Sequence, residues 1–138
     1  MPRICAASAL LTGSVVVDTS VWIDFLRDPR DPSGGRLQQL LEEGRVLLCS
    51  LVMAELLAGA RSHEEFEDLR GALAEIPKIP EIEQDWVEAA RIRFGLRRAG
   101  RDLPLLDCLI AAVCLRLSVP LFSRDSDFSR IPGLRHFQ

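Results

Sequence analysis

Apolar and polar positions fall in short blocks along the chain, and the blocks switch between the strand period and the helix period. Val15, Val16 and Val17 form a β-branched run with no polar interruption, which predicts a short strand buried on both faces. The run stops at Asp18. Thr19 and Ser20 can each cap a helix, and Val21, Trp22, Phe25 and Leu26 then lie on one side of the helix that follows. Residues 28–35, DPRDPSGG, read as a turn-rich loop that no regular element crosses, and residues 36–43 as a short helix closed by Gly44. A second apolar strand over 46–49 leads to Ser50, the expected cap of a helix over 51–60. A third helix over 62–75 turns Phe66, Leu69 and Leu73 inward.

Residues 76–82, IPKIPEI, hold two prolines and predict a connector or an edge strand. Residues 83–99 make a long amphipathic helix with Trp86, Ala89, Ala90, Ile92, Phe94 and Leu96 on its apolar side. Pro104 suits the first turn of the next helix, with Asp102 or Leu103 as its cap, and LPLLDCLIAAVCLRL is apolar nearly all round, so this helix is deeply buried. Residues 119–122 are a further strand, and 134–137 a last one after the Pro132-Gly133 turn. Strands and helices alternate throughout. The class is therefore α/β, with a mainly parallel central sheet and right-handed crossovers.

The chain has 138 residues and a hydrophobic fraction of 48%, enough for one domain with a real core. No apolar run reaches the ~18 residues of a membrane helix, which predicts a soluble protein. Residues 1–12, MPRICAASALLT, hold one arginine and a short apolar patch broken by Ser8, too little for a signal peptide. They read as a disordered extension covering residues 1–13. Cys49, Cys108 and Cys114 sit inside apolar runs, no CxxC pair occurs, and neither His63 nor His136 stands at zinc spacing. Reduced, buried cysteines point to the cytoplasm. The net charge of -3 argues only weakly against an acidic partner, because acids gathered at one site would leave the remaining surface more basic. Nearly all the positive charge is arginine, which makes planar contacts to phosphate, and Arg91, Arg93, Arg97, Arg98 and Arg101 cluster on one helix.

Four acids break the pattern. Asp18 and Asp125 follow strands, and in an open α/β sheet ligands bind at the strands' carboxyl ends. Glu55 shares its helix face with Leu51, Val52, Ala58 and Gly59, where a surface glutamate would have polar company. Asp107 is the interior acid of the buried helix, and a carboxylate there costs several kcal/mol unless it is paired, hydrogen-bonded or metal-bound. Glu64, Glu65, Glu67 and Asp68, by contrast, read as a solvated first turn. If the four converge, neighbouring carboxylates about 5 Å apart repel by roughly 3 kcal/mol per pair at an effective dielectric of about 20. Such a cluster must be partly protonated, balanced by arginine or occupied by a cation. Oxygen-only ligands select Mg²⁺ or Mn²⁺ over zinc, and a cation of that kind activates water against phosphorus.

In order along the chain, VVVDTSVWID, MAELLAGAR, LLDCLIAA and LFSRDSDF resemble the four acidic motifs of PIN domains, and of VapC-type ribonuclease toxins in particular. The resemblance implies a PIN-like three-layer sandwich over residues 14–138. It implies that Asp18, Glu55, Asp107 and Asp125 hold Mg²⁺ or Mn²⁺, that Asp127 is an auxiliary acid, and that Ser20 is a hydroxyl supporting the site. Ser123 stands where many members have threonine. The implied activity is an endoribonuclease acting on RNA such as tRNA or ribosomal RNA, leaving a 3'-hydroxyl and a 5'-phosphate. The implied partners are a cognate antitoxin and a second copy in a homodimer, with no membrane. The competing reading is a PIN-like scaffold that binds RNA or protein without cutting.

Overall fold

A computed structural model describes residues 12–28 and 30–138, apart from the side chain of Ser33. The extension expected at 1–13 lies, up to residue 11, outside the described residues. The elements run β1 (Val15–Val17), α1 (Thr19–Arg27), α2 (Pro32–Glu42), β2 (Val46–Cys49), α3 (Ser50–Ala58), α4 (His63–Leu73), β3 (Lys78–Ile79), α5 (Glu83–Arg98), α6 (Leu105–Leu117) and β4 (Leu121–Phe122). A 3-10 turn, Ser126–Arg130, follows β4. The four strands form one parallel sheet in the order β3-β2-β1-β4, with Val15 opposite Val46, Val16 opposite Leu121 and Cys49 opposite Ile79.

Successive side chains of a strand point to opposite faces, yet Val15, Val16 and Val17 are all at most 1% exposed. Helices therefore cover both faces of β1, and the three-layer α/β arrangement is the one expected. The strand order also has a functional consequence. From β1 the chain moves outward to β2 and β3, then crosses back to lay β4 on the other side of β1. The β1/β4 boundary is the topological switch point, where connections leave in opposite directions and open a crevice beyond the strand ends.

The edge position of β3 and the buried course of α6, with residues 108–114 all inside, agree with the pattern of the sequence. Several local expectations are corrected. The loop expected over 28–35 is shorter, because α2 starts at Pro32. Proline at a helix start loses no hydrogen bond, and burial of Leu37 and Leu40 outweighs the roughly 1 kcal/mol that each of Gly34 and Gly35 costs in a helix. Asp18 itself, and not Thr19 or Ser20, caps α1. Ser50 is the first residue of α3, whose amide at Leu51 is capped by Glu81 Oε1 at 2.9 Å. Pro104 takes the cap position expected of Asp102 or Leu103. Residues 134–137 contribute a single bridge, Leu121 to His136.

The largest correction concerns α5. Its apolar stripe predicts Trp86 and Phe94 facing the core, but they are 48% and 63% exposed, while Asp85 is 1% exposed. An ion pair sets this rotation. Arg116 on α6 donates Nε to Asp85 Oδ1 at 2.8 Å and Nη2 to Asp85 Oδ2 at 2.9 Å, and Asp85 Oδ2 also accepts from the Ile82 amide at 3.0 Å. Two parallel charge-assisted bonds are strong enough to hold a polar residue in a core position, and Trp86, its neighbour, is turned outward as a result. Among the described residues, no helix is long and apolar enough to cross a membrane.

Removing one member of this pair strands the other charge. Asp85→Ala is expected to lower the unfolding free energy by about 3 kcal/mol, whereas a double Asp85→Leu, Arg116→Met variant should recover a good part of that loss. Urea unfolding of the three proteins checks this, and equal losses in the single and double variants would show that the ion pair is not what holds α5.

Candidate active site

The floor of the crevice is Asp18. Its backbone amide donates to Phe122 O at 2.8 Å, so the residue is fixed between β1 and β4, and it is only 6% exposed. Oδ1 accepts from the Thr19 amide at 2.9 Å, and Oδ2 accepts from Ser20 Oγ at 2.9 Å and Ser123 Oγ at 2.8 Å. A carboxylate has about four acceptor directions, so these three neutral donors lock its rotamer and leave about one direction free. Capping a helix and serving the site fall to the same side chain.

Ser123 joins the two strand ends. It donates to Asp18 and accepts the Asp125 amide at 3.0 Å, while Asp125 Oδ1 accepts the Asp127 amide at 2.9 Å and caps the 3-10 turn. Glu55 comes from the middle of α3 and is exposed, held by Thr19 Oγ1 donating to its Oε1 at 2.9 Å. Asp107 lies in the first turn of α6 and is half-buried. The site thus grades from a buried floor at Asp18 to an open rim at Glu55 and Asp125.

The electrostatics of Asp107 bring all the acids together. Its carboxyl is pushed up from 3.8 to about 6, first by burial and then by the negative charges of Asp18, Asp125, Glu55 and Asp127. The helix N-terminus at Asp107 acts in the opposite direction, because its dipole favours a negative charge. Burial and repulsion win. Among the described residues none of these five acids has an arginine or lysine partner within ion-pair distance; Arg124, next to Asp125 in sequence, pairs instead with Asp24 and Asp31. Nor, among the described residues, do three of the carboxylates stand close enough to form a ready-made cage for a metal. The convergence is one of charge, with the oxygens still held apart by their own elements.

Every acid singled out in the sequence is therefore near the strand ends, with Ser20 on the floor. Two further residues touch these acids in ways the sequence pattern does not show. Ser123 stands out there only by its position in the fourth motif, although a hydroxyl beside an acid at a strand end is a signal for its bridging part. Thr19 reads only as a helix cap, and nothing in the sequence couples it to Glu55, 36 residues away.

The raised pKa of Asp107 has a consequence of definite sign for stability. An aspartate of the unfolded chain titrates near 3.9, so the folded state holds the proton more tightly and loses relative stability as pH rises from about 4 through about 6. Asp107→Asn should therefore stabilise the metal-free protein at pH 7.5 by on the order of 1 kcal/mol, a value discounted for the partial exposure of the side chain. The gain should vanish at pH 4. Thermal melts of both proteins in chelator across that range check it, and a pH-independent difference would mean that this carboxyl is not raised in the folded protein.

The chain has relatives in both sequence and fold. The PIN domain family matches residues 15–134. Ribonuclease VapC11 of Mycobacterium tuberculosis is 31% identical over 130 residues, spanning 90% of this chain and 96% of that protein. Two crystal structures share the fold. VapBC2 from Rickettsia felis, bound to a DNA fragment from its promoter, has a TM-score of 0.76 at 20% identity, covering 89% of this chain and 96% of that one. VapBC-5 from M. tuberculosis, a member of the VapBC family of toxin-antitoxin systems, has a TM-score of 0.62 at 25% identity, covering 89% and 94%. With the domain matched nearly end to end and a relative of the same length at this identity, the chain belongs to the PIN domain family, among the VapC ribonucleases.

Proposed function

We propose that this protein is a metal-dependent endoribonuclease toxin that cleaves RNA with Mg²⁺ or Mn²⁺ and is inhibited by a cognate antitoxin. The observation that carries the reading is the uncompensated charge. Burial first and then the charges of four neighbouring acids raise Asp107 to about 6, and no cation of the described residues answers the five. Repulsion on this scale is kept in a folded protein where an external cation uses it. Asp18, Asp107, Asp125 and Glu55 are the residues we assign to metal binding and catalysis, with Asp127 and Ser20 in support. Carboxylates alone suit a hard cation such as Mg²⁺. When bound, the cation supplies a Lewis acid for the phosphate and an activated water.

The chain's own residues prepare this chemistry. Ser20 and Ser123 hold Asp18 in one orientation, and Thr19 does the same for Glu55. With the site bare Asp107 takes up a proton as pH falls through about 6, so cation affinity would fall below that pH. Water attacks phosphorus in line, the bond to the 3' oxygen breaks, and the products carry a 3'-hydroxyl and a 5'-phosphate. The half-open rim admits a polymer, where an enclosed pocket would not.

The antitoxin reading draws on the VapBC likeness and on a groove beside Glu55. Ile23 and Leu26 of α1 are 42% and 48% exposed there, facing Leu56 and Leu69 across a cavity of about 250 Å³. An apolar segment of a partner laid in it would cover one side of the acids. A homodimer and a cytoplasmic location complete the proposal; the free, buried Cys49, Cys108 and Cys114 accord with a reducing compartment. Residues 14–138 act as one PIN domain.

Purified protein without antitoxin should cut total cellular RNA into discrete fragments in Mg²⁺ or Mn²⁺ and not in chelator. Asp107→Asn should lose at least about 100-fold in rate, as removal of a group that stabilises transition-state charge does. Added Mn²⁺ should raise the melting temperature of the wild type but not of the variant. Intact RNA with no metal-dependent shift in melting would favour the binding scaffold.

A further inference from the structure

The outward rotation of α5 leaves an arginine-rich groove that the metal chemistry does not use. It is lined by Ala90, Arg93, Phe94, Arg97, Arg98 and Leu105, with a volume of about 540 Å³. Among the described residues Phe94 is the most exposed of the large apolar side chains at 63%, and Arg98 lies 5.6 Å from its ring centre. Arg97 and Arg98 have no ion pair among the described residues, and Arg93 has only a 3.5 Å approach to the exposed Asp102. The groove reaches the start of α6, the helix that carries Asp107. Leu105 stands two positions before Asp107 on α6, and Arg93 is near enough to act electrostatically on Cys108, the residue after it.

We infer that this groove is a single-stranded RNA track, in which Phe94 stacks on a base flanking the cleaved bond while Arg97 and Arg98 bind the neighbouring phosphates. The inference rests on the ribonuclease reading and names the residues that position its substrate. Three features decide for RNA over another occupant. An exposed aromatic ring with an arginine against it is the arrangement on which bases stack, and it is tolerant of sequence because every base has a π-face. Unpaired guanidinium groups beside it match a run of phosphates and would be left uncompensated under an apolar partner. The groove also supplies positive charge next to five acids that repel a polyanion, so a strand reaching the metal would gain most of its binding outside the acids.

The test is binding of a fluorescein-labelled, unstructured 12-nucleotide oligouridylate (about the span of one such groove) in chelator, so that no strand is cut. Anisotropy is read across a salt series for wild type, Phe94→Ala, Phe94→Trp and Arg97→Ala/Arg98→Ala. Phe94→Ala should weaken binding on the order of tenfold, and Phe94→Trp should restore it. The arginine pair should flatten the slope of log K against log salt by about 1.4, near 0.7 for each phosphate that is no longer neutralised. Unchanged affinity and slope in every variant overturn the inference. So does a sedimentation result in which the wild type is a dimer, Phe94→Ala is a monomer and RNA affinity is unaffected, because the groove is then filled by a second copy. Wild-type cleavage of the same oligonucleotide in Mn²⁺, run in parallel, reports on the nuclease reading alone. The substitutions are at exposed positions, so melting temperatures close to wild type are expected.

Discussion

Mutual repulsion among carboxylates at the β1/β4 boundary is the constraint that the rest of this structure answers. A cluster of like charge is opened up by the chain unless each member is held by forces that do not depend on the others. Here Asp18, Glu55 and Asp125 are each anchored by their own element and by neutral donors. Asp18 is fixed through its backbone to Phe122 and through its side chain to Thr19, Ser20 and Ser123, and Asp125 is fixed by Ser123 and the amide of Asp127. Glu55 has the Thr19 hydroxyl. Hydroxyls and amides hold a carboxylate in place without neutralising it, whereas an arginine would hold it and also cancel the charge that a cation needs.

The frame that carries these anchors is correspondingly apolar and tight. β1 has no exposed residue, and α6 presents seven consecutive buried residues immediately after Asp107. The two helices that supply Glu55 and Asp107 are also coupled through the turn before α5 and its first residues. Glu81 caps α3 at Leu51, and four residues later Asp85 grips Arg116 at the end of α6. One short segment thus fixes the pitch of one acid-bearing helix and the position of the other. This is polar structure used for register, in a place where an apolar contact would leave both helices free to slide.

The sequence discloses the strands, the parallel class and the candidate acids because these depend on local contrast. Three valines ending at Asp18, or one aspartate in the apolar run of α6, stand out against their immediate neighbours. What it hides depends on partners distant in the chain. Asp85 looks like any acid in the first turn of a helix until Arg116, 31 residues on, is beside it. With Asp85 inward the apolar stripe of α5 is rotated, so periodicity alone does not place Trp86 and Phe94. The start of α2 at Pro32 is hidden for the same reason, since the burial of Leu37 and Leu40 against the rest of the core is not a local property.

These anchors also bear on how the fold relates to the proposed metal. In a small zinc domain the ligands have no other reason to meet, so the apo chain is unfolded. Here the β1/β4 pairing, the buried α6 and the Asp85–Arg116 pair are made by groups other than the clustered carboxylates. The cluster can therefore stand charged and open, its oxygens apart, waiting for a cation to draw them in. A partner that brings positive charge to the open rim between Glu55 and Asp125 would relieve the same repulsion, and in doing so would remove the electrostatic reason for a cation to bind. Under the proposed function, inhibition and metal loading would then compete for one quantity, the uncompensated charge of the acids around Asp107.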